Sequence, residues 1–382
     1  MKHMKRITAL LLSILAIITQ SGCSNAASGI QEKTSAASTE FDPVTKESFY
    51  FDTVCQITVY RMSESDEKED AEVAERQEGA KAKESDSLGE MEWEESAGRA
   101  IDGAFALCSE YEKLLSKTME GSDIWNINHA GGEPVSCDER TIELIQKGIQ
   151  YGELSGGVFD ITIGKAEDLW DFHGDNPKVP EESLLEEAVS HVDYTQIRTD
   201  EGNGTVQLLD SEAEIDLGGI AKGYIADAVS EYLKGQGVLS AIISLGGNIV
   251  CVGEKEENVP FCIGIETPYS DRTEIVGSAD CADGTLVTSG VYERYFTVGE
   301  KEYHHILNPQ TGYPAQTDVL GVTIEGALGT SGDCDALSTI CLSMGSEKGS
   351  ALIEGLEGYE AVFILRDGSI VTTSGANFTA AK

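Results

Sequence analysis

Apolar and polar positions sort this chain into stretches of period two, stretches of helical period, and stretches with no period. Residues 48–61 (SFYFDTVCQITVYR) alternate β-branched and aromatic residues with polar ones, which predicts a strand. Residues 96–116 repeat apolar positions at helical spacing, with Ile101, Ala104, Cys108, Tyr111 and Leu115 on one face. Residues 140–154 do the same through Ile142, Ile145 and Ile149. Further strands are predicted over 240–252, 261–266, 285–289, 292–298, 319–325 and 361–365, and a helix over 334–344. Strands and helices are mixed without regular βαβ alternation, so the fold class is α+β, with mixed or antiparallel sheets.

One stretch organises the rest: Asp216-Leu217-Gly218-Gly219-Ile220-Ala221-Lys222-Gly223-Tyr224. A strand is predicted over 213–217, two glycines turn the chain, and a helix follows with Ile220, Tyr224, Ala228, Tyr232 and Leu233 on one face. Glycines leave no side chain over the turn, so the N–H groups of the helix's first turn are open to a phosphate. Lys222 adds a positive charge one turn in, and Asp216 a hydrogen-bond acceptor. Glycines placed only for strand–helix packing would give the same letters.

The chain's start changes the picture. Lys2, Lys5 and Arg6 precede an apolar run over 7–18, then Ser21-Gly22-Cys23. A basic segment, a short apolar run and small residues before a cysteine describe an export signal over 1–22. The pattern resembles a lipobox, with Gln20 in place of the usual apolar residue, and so implies lipidation of Cys23. The expected location is extracytoplasmic, on a bacterial membrane through that anchor; a plain cleaved signal is the alternative. Residues 23–46, rich in Ser, Ala, Thr and Glu, read as a flexible tether. Residues 63–95, dense in Glu and Asp, read as a disordered acidic insertion. The folded domain is then 47–62 with 96–380, enough chain for a substantial core.

A formal net charge of −40 argues against nucleic-acid binding and requires any anionic ligand to be held by a local site, with help from a metal ion. The nine cysteines show no metal-ligand spacing. Cys55, Cys108, Cys251, Cys262 and Cys341 lie in apolar segments and read as small buried hydrophobes.

Four further segments carry chemistry-bearing letters. They are Ser155-Gly156-Gly157-Val158-Phe159-Asp160-Ile161-Thr162-Ile163-Gly164, which runs on to Leu169-Trp170, Ser244-Leu245-Gly246-Gly247-Asn248, the run from Thr288 through His304-His305-Ile306 to Pro314, and Asp333-Cys334-Asp335-Ala336-Leu337-Ser338-Thr339. With DLGGIAKGY they follow the order of motifs in the ApbE family, the FAD:protein FMN transferases, which this chain resembles over roughly 49–378. FDT at 51–53 and SDIWNIN at 122–128 occupy two further places in that pattern.

The resemblance implies binding of FAD and Mg²⁺, and transfer of FMN to a Thr or Ser hydroxyl of an exported redox-protein subunit with release of AMP. It implies metal ligands from the Gly219 carbonyl, Asp335 and Thr339, all oxygen donors of the kind Mg²⁺ takes. Phe51, Thr118, Val158, Phe159, Asp160, Asp216, Lys222 and Ile306 would line the flavin nucleotide, and His305 would be the general base. Thr118 stands where the family has an aromatic residue, and Asn308 where it often has Asp. Two other outcomes stay open at this stage: hydrolysis of FAD to FMN and AMP, and flavin binding without turnover.

Overall fold

The computed structural model describes residues 41–63, 82–172, 174, 177–270 and 273–382. The signal segment, Cys23, the tether up to residue 40 and residues 64–81 of the acidic insertion lie outside the described residues.

Val44–Tyr50 (β1) and Thr53–Met62 (β2) form a hairpin, so the last residues of the tether and the single strand expected over 48–61 both require correction. Phe51 and Asp52 make the turn with φ of 55° each, the left-handed twist that joins antiparallel strands tightly. A phenylalanine is not a residue type that signals such a turn, which is why alternation alone reads straight through it.

Ala82–Leu115 (α1) corrects the expectation of disorder over 63–95, because residues 82–95 continue the packed helix. An acidic composition does not oppose helix formation: Glu, Ala, Lys and Met are good helix formers, and extending an existing helix avoids the nucleation cost. Trp93 fastens this turn of α1 to the start of the domain. Its Nε1 donates to the Asp42 carbonyl at 3.1 Å, and its ring stacks on Phe41.

Asp123–Asn128 (α2), Val135–Ser136 (β3), Glu139–Ser155 (α3), Gly164–Asp168 (α4), Glu182–Val189 (α5), Ile197–Asp200 (β4) and Thr205–Leu208 (β5) follow. Ala221–Gly235 (α6) leaves the glycine turn, and Val238–Leu245 (β6) and Asn248–Val252 (β7) return as a hairpin. Gly246 and Gly247, at φ 57° and 97°, divide the strand expected over 240–252. Phe261–Glu266 (β8), Ile275–Cys281 (β9), Gly284–Gly290 (β10), Tyr295–Val298 (β11), Lys301–His304 (β12) and Val319–Ala327 (β13) come next. Ser331–Met344 (α7), Ser346–Glu354 (α8), Glu360–Leu365 (β14), Ile370–Thr372 (β15) and Phe378–Ala380 (β16) complete the chain.

The main sheet has eight strands in the order β1-β2-β6-β7-β10-β13-β14-β15, every neighbouring pair antiparallel. The α+β expectation therefore holds. α6 packs against β6 and β7, α7 against β10 and β13, and α1 against α6. α6 is buried on more than its expected stripe: Ile225, Ala226 and Val229 are inaccessible, while Tyr224, Ala228 and Tyr232 are half-buried against the same core.

The segment leading into the glycines is not the strand expected over 213–217; only Glu214 pairs, in a single bridge to Ile163. Its backbone groups are satisfied elsewhere. The Asp216 N–H donates to the Ile161 carbonyl, and the Asn128 side chain both accepts from Ile215 N–H and donates to Ile215 O. Of the cysteines, Cys55, Cys108, Cys251 and Cys341 are buried as expected, but Cys262 is exposed because its side chain lies on the outer face of β8.

The α6–α7 crossing is unusually close because Gly223 and Gly332 face it. A Cβ on Gly223 would lie 2.1 Å from the Ser331 carbonyl oxygen, a contact only backbone movement can relieve. Gly223→Ala should therefore cost at least about 2 kcal/mol, as overpacking against backbone does. Urea denaturation checks this, and a midpoint equal to wild type would show that the helices can part without penalty.

Candidate functional site

The site grows from the two helix ends at that crossing. α6 and α7 cap each other: Asp227 of α6 accepts from the Ser331 and Gly332 N–H groups at 2.9 Å each, and Asp335 Oδ2 of α7 accepts from the Gly223 N–H at 3.0 Å. First-turn N–H groups have no partner within their own helix, so in a buried crossing these carboxylates satisfy them. Burial pushes the Asp227 carboxyl up to about 6 in spite of its two donors.

Asp335 and Thr339 lie one turn apart on α7, Asp335 buried and Thr339 half-buried. Thr339 Oγ1 is 3.6 Å from where a Cβ on Gly219 would stand, and the Phe159 ring 2.9 Å from that same point. Only a glycine lets this turn approach both. Among the described residues Thr339 Oγ1 has no hydrogen-bond partner, nor does the second oxygen of Asp335. Both donor atoms therefore remain available to a ligand beside the Gly219 peptide.

Asp216 closes the turn: its Oδ1 accepts the Gly218 N–H at 2.6 Å, and Lys222 Nζ donates to the Gly218 carbonyl at 3.0 Å. Its Oδ2 pairs with Lys117 Nζ at 2.8 Å, and the same ammonium reaches Glu167 at 3.2 Å and Asp168 at 2.8 Å. Burial opposes ionisation of Asp216, but Lys117, with the donors around it, holds its carboxyl well below the ordinary range. Lys117 was not legible as a site residue. A lone lysine after a helix carries no motif, and its partners at 167, 168 and 216 are far along the chain.

His304 and His305 divide as a buried and a half-buried residue. His304 packs at 1 % exposure with Nε2 against the Ala315 carbonyl, and burial pushes it down to about 4. The backbone N–H of His305 donates to the Arg294 carbonyl, with Nδ1 3.3 Å from the same oxygen, which assigns the proton to Nδ1 and leaves Nε2 as the acceptor. Burial, with the charges of Arg294, His304 and Lys222, pushes His305 down to about 3, so it is neutral at neutral pH. Arg294 in turn donates to the Asp52 carbonyl, tying the Phe51–Asp52 turn to the histidine. The Asn308 side chain accepts from Gln310 N–H and shapes the turn after Ile306.

Gly219, Phe159 and Thr339 thus meet at the turn, with Lys222 on the Gly218 carbonyl, Asp335 on the Gly223 N–H, and His305 within electrostatic reach of Lys222. Ile306 is buried beside them in the α7 core, and Val158 is half-buried next to Phe159. Asp160 differs from the rest: it is 8 % exposed and its carboxylate accepts from Thr162 N–H, Thr162 Oγ1 and Tyr194 N–H, so it holds its own loop. Thr118 is exposed, its hydroxyl turned to Ser116. Among the described residues no group of three or more His, Cys, Asp and Glu side chains could hold a metal, and no helix is long and apolar enough to cross a membrane. A polar depression of about 540 Å³ between α3 and β4–β5 shares no residue with this site.

Comparison with known proteins decides the lineage. The ApbE family's sequence profile matches residues 51–363. The chain belongs to the ApbE family. Among curated ApbE-type relatives, the FAD:protein FMN transferase of Treponema pallidum is 34% identical over 290 residues, covering 72% of this chain and 80% of its own. The FAD:protein FMN transferase of Klebsiella pneumoniae is 35% identical over 273 residues, covering 71% and 83%. The ApbE crystal structure from Thermotoga maritima superposes with a TM-score of 0.72 at 28% identity, over 87% of this chain and 97% of that one.

The depressed His304 pKa has a stability consequence with a definite sign. Its folded value lies below the ordinary 6.5, so the unfolded chain takes up the proton as pH falls from about 6.5 toward 4, and stability is lost on acidification. Between pH 7 and 5 the wild type should lose about 2 kcal/mol more than His304→Gln in urea melts. Parallel losses would mean His304 titrates normally.

Proposed function

We propose that this protein transfers FMN from FAD to a Ser or Thr hydroxyl of an exported protein, releasing AMP, with Mg²⁺ at the Gly219–Asp335–Thr339 corner. The observation that carries this reading is the α6–α7 corner itself: Thr339 Oγ1 facing the Gly219 turn, Asp335 one helical turn away with one oxygen free, and Lys222 on the Gly218 carbonyl within electrostatic reach of His305. Family membership and the printed activity of the relatives support the same conclusion.

The donor set fits the ion. Asp335, the Thr339 hydroxyl and the Gly219 carbonyl are hard oxygen ligands with a single carboxylate among them, the kind of partial site in which Mg²⁺ keeps waters and shares phosphate oxygens. When bound, the ion supplies neutralisation of the diphosphate charge that otherwise repels a nucleophile. The chain's own residues do the rest. Lys222 adds positive charge beside the glycine turn, and Phe159 with Val158 and Phe51 offers an apolar wall to the flavin. His305 Nε2 accepts the acceptor hydroxyl's proton as that oxygen bonds to the FMN phosphorus and the bond to the AMP phosphate oxygen breaks. The anionic diphosphate, once present, raises the basicity of His305 from its low resting value.

Purified protein incubated with FAD, Mg²⁺ and an exported Ser/Thr-bearing acceptor should give acceptor carrying FMN, plus AMP, by mass spectrometry. Asp335→Ala should lower transfer at least about a hundredfold, and His305→Gln by about 10²–10⁴ with FAD binding retained. Free FMN and AMP without modified acceptor would replace the reading with FAD hydrolysis. Collapse of FAD affinity in His305→Gln would make the histidine a binding residue.

The basic, apolar and small-residue order of residues 1–23 supports anchoring by a lipid on Cys23 outside the cytoplasmic membrane. Radiolabelled palmitate should enter the wild type and not Cys23→Ala; labelling of neither would leave a plain secreted protein.

A further inference from the structure

We propose that Lys117 is a positioning residue for the FAD site, acting through Asp216 to set the glycine turn. The inference deepens the proposed transferase reading and rests on it for the identity of the ligand. Lys117 lies in the loop between α1 and α2, and its side chain is only 18 % exposed. Its ammonium joins three segments: its own loop, which carries Thr118; the end of α4, through Glu167 and Asp168; and Asp216, which precedes Gly218 and Gly219. These segments continue into the proposed flavin and metal contacts.

The connection to the turn is direct. Asp216 Oδ2 meets Lys117 and Asp216 Oδ1 accepts the Gly218 N–H, so one carboxylate transmits the lysine's position to the peptide before Gly219. From the other side Lys222 reaches the Gly218 carbonyl. A carboxylate this enclosed, in a chain of net charge −40, retains its charge only if a cation stays beside it. Without Lys117 the Asp216 carboxylate either turns to solvent or takes up a proton, and in both cases it ceases to hold Gly218 in the observed geometry. Lys117 touches no reacting atom in this account. Its partners Glu167 and Asp168 fix the ammonium's own place, Glu167 also hydrogen-bonding Asp216, and Asp216 passes that placement on to the turn.

The test is a double-mutant cycle read by FAD affinity, using quenching of flavin fluorescence in the presence of Mg²⁺, alongside urea denaturation of the same proteins. Lys117→Met should weaken FAD binding at least about tenfold, with transfer showing a raised KM for FAD and kcat within about threefold of wild type. In an Asp216→Asn background the same Lys117→Met change should alter FAD affinity by less than about threefold, because the carboxylate through which it acts is gone. Additive losses in the two backgrounds, or unchanged FAD affinity in Lys117→Met, would overturn the proposal. If Lys117→Met alone does not fold, Asp216→Asn is compared with the doubly substituted protein, which has no stranded carboxylate at 216, and a difference beyond about threefold again overturns it. Because binding is read directly, failure of FMN transfer by the wild type would count against the transferase reading while leaving the lysine's effect on FAD measurable.

Discussion

Two helices that cap each other hold this site together. The first turns of α6 and α7 meet at a close crossing in which Gly223, Ser331 and Gly332 are buried, and each would leave N–H groups without partners. Asp227 supplies acceptors to α7, and Asp335 supplies one to α6. Each such cap contributes on the order of 1 kcal/mol, less than the packing it permits, but its geometric effect is larger. Asp335 caps Gly223 from one turn before Thr339 on α7, and Thr339 Oγ1 in turn faces Gly219. The arrangement that closes the crossing is thus the one that assembles the oxygen donors.

Electrostatics around this corner run against the chain as a whole. A strongly acidic protein repels a dinucleotide at long range, so attraction has to be local. Lys222 faces the turn, Arg294 stands behind His305, and Lys117 sits beneath Asp216. Each cation is paired with a carbonyl or carboxylate that fixes it, which keeps positive charge in place instead of waving on long side chains. The same surroundings keep His305 neutral, the form in which it can accept a proton.

Much of the proposed site was legible because its letters are short-range and redundant. A glycine pair before an apolar helical stripe, Asp and Thr four apart, and a His-His-Ile run each imply chemistry locally, and their order along the chain recurs in the ApbE family. The α+β class followed from periodicity in the same way, since side-chain patterning depends only on which face of an element is covered. Asp160 shows the limit. Its neighbours fit a ligand wall, yet its carboxylate is consumed by Thr162 and Tyr194, and a partner 34 positions away leaves no mark in a window of ten residues.

By itself the sequence determined the positions of the four longest helices and of the central strands, the glycine turn, and the residue types able to meet a phosphate and a hard cation. Tertiary structure alone decided that residues 51–52 turn the chain, that residues 213–217 follow the 161–164 loop instead of joining a sheet, and that Lys117 lies under Asp216. The physical reason is common to all three. Hydrophobic period records what an element buries, whereas a backbone hydrogen bond or a buried charge is settled by whichever distant group can satisfy it, and that group is known only once the chain has closed.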